Sequence, residues 1–100
     1  MPPSTRIAPT HPGEVLSLFL TDYGLTQNGL ATAIGVSPRR INEIVHGKRG
    51  ISADTALRLS RFFGNTPQFW QNLQARYELE SESDRLGEQL ARIVPIEAAS

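Results

Sequence analysis

The stretch TQNGLATAIGVSPRRINEIVHGKR, residues 26–49, decides how the rest of the chain is read. Leu30, Ala31 and Ile34 recur at the spacing of one helix face, and Ile41, Ile44 and Val45 do the same a few residues later. Between them Gly35 stops the first pattern, Ser37 supplies an N-cap, and Pro38 occupies the first helical position, where a missing N–H costs nothing. Two helices of roughly eight residues joined by a short turn containing Gly make a helix-turn-helix, here at about residues 26–47. Ala31 is small enough for a close helix crossing, Gly35 accepts the positive φ of a sharp turn, and Val36 plugs the corner from inside.

With Ile41 and Ile44 turned inward, Ser37, Arg39, Arg40, Asn42, Glu43 and His46 lie wholly or partly outside. That set suits base edges in a major groove. Arg39, near the N-terminal end, is the first choice for a bidentate contact to guanine, followed by Arg40 and Asn42. Glu43 is able to accept from a cytosine amine, but i,i+4 spacing favours its holding Arg39. Ser37 completes the base-facing set. Gln27 and Thr26, at the start of the preceding helix, are placed for a phosphate together with that helix's exposed amides, and Lys48 and Arg49 add sequence-blind phosphate contacts.

Outward from this motif the helical pattern continues on both sides. Val15, Leu16, Phe19, Leu20 and Tyr23 line one face of a first helix that begins near Pro12 and ends at Gly24. After the basic loop Lys48-Arg49-Gly50, Ser52 caps a fourth helix with Ala56, Leu59 and Phe63 inward. Thr66 and Pro67 open a fifth, whose stripe of Phe69, Trp70, Leu73 and Tyr77 is expected to divide between core and dimer surface. Strand signals are absent. The expectation is an all-α, five-helix domain over residues 12–79, preceded by a flexible proline-rich arm (residues 1–11) and followed by an acidic tail (residues 80–100). Within the tail, Leu86, Leu90 and Ile93 leave room for an extra C-terminal helix before Pro95, and for a second dimer contact.

One hundred residues enclose a single core. The formal net charge is zero, which taken alone argues against a nucleic-acid partner. Its uneven distribution removes that objection, and on charge alone a nucleic-acid surface and chance asymmetry on solvated helix faces both stay open. Residues 37–76 carry Arg39, Arg40, Lys48, Arg49, Arg58, Arg61 and Arg76 against only Glu43 and Asp54, whereas the last 24 residues are strongly acidic. There is no cysteine, and His11 and His46 are the only histidines, so neither a metal site nor a cofactor is expected. No nucleophile–base pair, phosphate loop or carboxylate pair points to an enzyme. No apolar run approaches the roughly 18 residues of a membrane span, and the first residues lack the apolar core of a signal peptide, so a cytoplasmic protein is expected. His11 fits a helix start, His46 a helix C-terminus, and Asp54 a helix N-terminus where the dipole favours it.

The pattern from Thr26 to Lys48 resembles the Xre-type, lambda-repressor-like helix-turn-helix. HPGEVL (11–16), GKRGISADTALRLSRFFG (47–64) and TPQFWQNLQARYEL (66–79) are similar to the HigA (VapI-like) antitoxins of bacterial toxin-antitoxin modules, so the resemblance covers about residues 11–79. It implies a homodimer on a palindromic operator, with recognition helices in successive major grooves about 34 Å apart. It also implies a cognate HigB-type toxin, a ribosome-dependent messenger RNase that the antitoxin neutralises. Two alternatives stay open on the residues alone: a stand-alone Xre-type repressor without a toxin, and a protein-interaction module that has lost DNA binding. The arm and the acidic tail lie outside the recognised pattern.

Overall fold

The computed structural model describes residues 8–99, and among them every regular element is helical. The helices are α1 (Pro12–Tyr23), α2 (Gln27–Ile34), α3 (Pro38–Val45), α4 (Ala53–Phe63), α5 (Pro67–Leu86), α6 (Glu88–Ala91) and α7 (Ile96–Ala99). The all-α expectation holds. Most of the proposed arm, residues 1–7, lies outside the described residues.

Each of the five principal helices begins where a side chain takes an otherwise unpaired backbone N–H. Thr26 Oγ1 accepts from Gly29 at 2.9 Å, Ser37 Oγ from Arg40 at 3.2 Å, Ser52 Oγ from Thr55 at 3.3 Å and Thr66 Oγ1 from Phe69 at 3.1 Å. At α1 the cap is His11, whose Nδ1 accepts the Gly13 N–H at 2.9 Å while Glu14 reaches back to the His11 N–H. Such caps set where helices start more sharply than propensity does. A cap lost to alanine costs about 1 kcal/mol.

The core joins Leu16 and Leu20 of α1, Leu30, Ala31 and Ile34 of α2, Ile41 and Ile44 of α3, Ala56 and Leu59 of α4 and Trp70 of α5, with Ile51 from the loop before α4. Helices α2 and α3 pack as the helix-turn-helix, α1 crosses α3 and α5, and α4 lies between α2 and α5. Gly13 makes the first of these crossings possible: a Cβ there would collide with the Ile44 carbonyl oxygen of α3. Tyr23, expected on the inner face of α1, is exposed. It packs instead at the rim against Phe63, with centroids 5.3 Å apart.

Trp70 has no exposed surface, and its Nε1 donates to Asn65 Oδ1 at 3.0 Å, so its burial leaves no polar atom unpaired. It therefore offers nothing to a second chain. Within the stripe expected to divide between core and dimer surface, Trp70 belongs to the core, Leu73 and Tyr77 are half-buried, and Phe69 is exposed.

The fifth helix continues beyond the expected end near residue 79, to Leu86. No Gly or Pro interrupts residues 80–86, and the charges there support a helix: Arg76 pairs with Glu80 at 3.2 Å and Arg85 with Glu82 at 2.8 Å. Gly87, at φ +51°, breaks it. The extra C-terminal helix is thus a single turn, α6, after which Pro95 precedes α7. Leu90, Ile93, Val94 and Ile96 all remain exposed.

Candidate nucleic-acid interface

The turn between α2 and α3 is built on Gly35, which at φ +73° adopts the left-handed conformation that side chains disfavour. Its N–H closes α2 on the Ala31 and Thr32 carbonyls, and Val36 packs beneath the corner. Arg58 of α4 closes the same end from outside, donating from Nη1 to the Ile34 carbonyl at 2.8 Å and the Gly35 carbonyl at 3.3 Å. A guanidinium on terminal carbonyls is favoured by the helix dipole. Sequence spacing did not single out Arg58, because its partners are 23 and 24 residues away.

Ile41 and Ile44 are wholly buried, which turns the opposite face of α3 to solvent. Arg39 lies on this face, its side chain 84% exposed, with Nε donating to Glu43 Oε2 at 2.9 Å. Asn42 lies one turn along and donates from Nδ2 to Gln27 Oε1 at 3.1 Å, joining α3 to the first turn of α2. His46 follows, its Nδ1 2.8 Å from the Asn42 carbonyl oxygen. These residues share one continuous exposed strip.

Arg40 departs from its expected place among the base-contacting residues. About 100° further around the helix than Arg39, it faces α4, where its Nη1 pairs with Asp54 Oδ1 at 2.8 Å. Asp54 also accepts from Arg58 Nε at 2.8 Å. The carboxylate at the N-terminus of α4 thereby fastens α3 and the end of α2 to the scaffold. The two hydrogen-bonded guanidiniums, Arg40 foremost, hold its carboxyl below the ordinary 3.8. Arg40 is a structural tie in this arrangement, and the guanidinium that remains on the α3 face is that of Arg39.

Ser37 and Thr26 are exposed but engaged, since each oxygen caps its own helix. As hydroxyls, each keeps an O–H free to donate as well. Gln27 is half-buried beside Asn42, so residues expected on phosphate and on base edge meet here.

The loop after α3 is held from below: Gln74 of α5 accepts the Ile51 N–H on Oε1 at 2.7 Å, and Gln71 Nε2 donates to the Ile51 carbonyl at 3.4 Å. It therefore presents Lys48 and Arg49 at the C-terminal end of α3 from a fixed base. Arg49 turns back to Glu43 Oε1, with Nε at 2.9 Å and Nη2 at 2.8 Å. Arg49 first, then Arg39, pulls the Glu43 carboxyl below its usual 4.5. Lys48 is exposed and, among the described residues, has no ion-pair partner.

His11 lies behind the strip. Its ring meets Tyr77 edge-on at 4.8 Å and lies under Gly47, so the start of α1 supports the end of α3. Burial lowers the imidazole pKa, against a smaller upward pull from Glu14.

A helix-turn-helix family model matches residues 18–70, from the middle of α1 to Trp70. The chain is 53% identical over 77 residues to virulence-associated protein I of Dichelobacter nodosus, covering 75% of this chain and 71% of that protein. To antitoxin HigA-1 of Vibrio cholerae it is 32% identical, over 92% of this chain and 88% of that one. The chain belongs to the HigA antitoxins of the helix-turn-helix family. A solved member, the Pseudomonas aeruginosa antitoxin HigA with the higBA promoter, superposes with a TM-score of 0.84 at 43% identity, covering 88% of this chain and 98% of the other. HigA proteins form a family of DNA-binding regulators and not of enzymes. Among the described residues of this HigA-family chain, no His, Asp and Glu side chains group to hold a metal ion, and no helix is long and apolar enough to cross a membrane.

Proposed function

We propose that this chain is a cytoplasmic antitoxin that represses its own operon, binding a palindromic operator as a homodimer and neutralising a HigB-type messenger-RNase toxin. The observation that carries the DNA reading is the exposed strip of Arg39, Asn42 and His46 on a rigidly backed α3, with Gln27 of α2 beside it. Likeness to a Pseudomonas aeruginosa antitoxin HigA whose structure includes the higBA promoter supports it. In this reading α3 enters the major groove: Arg39 contacts guanine, and Asn42 an adenine or a phosphate. The Gln27 side chain and the α2 N-terminus lie against the backbone, with Lys48 and Arg49 on flanking phosphates.

For the dimer, the proposed contacts are the exposed Phe69, the half-buried Leu73 and Tyr77, and the uncovered Leu90 and Ile93. The toxin reading rests on the antitoxin relatives. The deciding experiment co-expresses this chain with a neighbouring short reading frame, purifies through a tag on the neighbour and assays promoter binding. A stable complex that shifts promoter DNA, with growth arrest when the neighbour is expressed alone, supports the whole proposal. A DNA shift without complex or arrest leaves a stand-alone repressor.

A further inference from the structure

The α3 face carries a carboxylate where a purely phosphate-binding surface would carry none. Glu43 uses both of its oxygens: Oε2 accepts from Arg39 Nε at 2.9 Å, and Oε1 from Arg49 Nε at 2.9 Å and Nη2 at 2.8 Å. Arg39, Lys48 and Arg49 are the cations of this edge, and Glu43 compensates two of them at once. The contact on Arg39 is made through Nε alone, and its side chain is 84% exposed. The two Nη groups, the pair of parallel donors that matches guanine O6 and N7, are left pointing to solvent.

We propose that Glu43 is a specificity-determining residue that presents Arg39 to guanine while holding Arg39 back from phosphates on non-cognate DNA. This inference rests on the reading of α3 as the DNA-facing helix. On a random duplex, a phosphate taking Arg39 merely exchanges one anion for another. The displaced carboxylate is then left close to the phosphate chain, which repels it. Guanine is different, because it is neutral and engages the outer Nη groups while the Nε contact to Glu43 stays in place. The pairing thus costs little at an operator and more elsewhere, which widens the ratio between the two affinities.

Asp54 provides an internal comparison. It too bridges two arginines, Arg40 and Arg58, but on the side of α3 that faces α4. Its loss is expected to lower stability without changing DNA preference.

The test measures binding of Glu43→Gln, Asp54→Asn and Arg39→Ala to the operator duplex and to a scrambled duplex across a salt series, with melting curves to show that each variant folds. Glu43→Gln is expected to bind scrambled DNA about tenfold more tightly at low salt, with a steeper salt slope by about one. Its operator affinity should gain less than that, so that the preference for the operator narrows at least about threefold, and Asp54→Asn should keep the wild-type ratio. An unchanged ratio in Glu43→Gln, while Arg39→Ala still loses operator binding, overturns the inference and leaves the α3 reading intact. So does a loss confined to the operator, which would make Glu43 a direct acceptor from a cytosine amine. If Arg39→Ala changes nothing, the α3 reading fails and this inference with it.

Discussion

Asn42 Nδ2 donates to Gln27 Oε1 at 3.1 Å, a bond between the exposed face of α3 and the first turn of α2. One side chain proposed for the bases is thus oriented by another proposed for the backbone. Replacing Gln27 by Ala removes both the phosphate contact and the support of Asn42, and is expected to weaken operator binding by about 0.5–1.5 kcal/mol. A double-mutant cycle with Asn42→Ala should return a coupling of at least about 0.5 kcal/mol. Strictly additive losses would show that the two residues act independently on DNA.

Lys48 stands at the end of α3 and, among the described residues, is not ion-paired. Lys48→Ala is expected to weaken operator and scrambled duplexes alike and to reduce the salt slope by about one. Titration across several salt concentrations measures both. A slope equal to that of the unmutated protein removes Lys48 from the phosphate contacts.

Gly13 brings the first turn of α1 onto the end of α3, where an added Cβ would strike the Ile44 carbonyl oxygen. The obstacle is backbone, so no rotamer change relieves it. Gly13→Ala is expected to lower unfolding free energy by about 1–3 kcal/mol, despite alanine's better helix propensity. Urea unfolding checks this, and a stability equal to or above wild type would contradict the close approach.

His11 links pH to the same junction. Burial lowers its pKa from 6.5, and its Nδ1 must stay unprotonated to accept the Gly13 N–H. The folded chain therefore binds this proton less readily than the unfolded chain. The His11 contribution is fully present above about pH 6.5 and is lost as pH falls through the lowered folded value. His11→Asn keeps a capping acceptor without the titration, and should flatten the fall in stability between about pH 7 and pH 5. A stability difference between wild type and variant that is constant across this window contradicts the assignment.

Much of this architecture is legible in the chain because the signals are local. Ser37-Pro38 and Thr66-Pro67 mark helix starts by cap and proline, Gly35 marks the turn, and the spacing of Ile41 and Ile44 fixes which side of α3 faces outward. The i,i+4 relation of Arg39 and Glu43 is local too. What stays hidden is contact between distant segments: Arg40 turning to Asp54 fourteen residues away, Arg58 capping α2 from α4, and Arg49 folding back on Glu43. Periodicity assigned Arg40 to the outside because it shows the angle from the core and not which neighbouring helix stands there. The continuation of α5 was hidden for another reason. Residues 80–86 lack an apolar stripe, and their helix draws on local charge pairs instead.

The central claim is that the outer face of α3 distinguishes one DNA sequence from another, with Arg39 as its leading contact. The most direct measurement is the affinity of Arg39→Ala for the operator duplex and for a scrambled duplex at one fixed salt concentration. The account predicts a loss of about 1–3 kcal/mol on the operator with a smaller change on scrambled DNA, so that the preference narrows. An unchanged preference would contradict it.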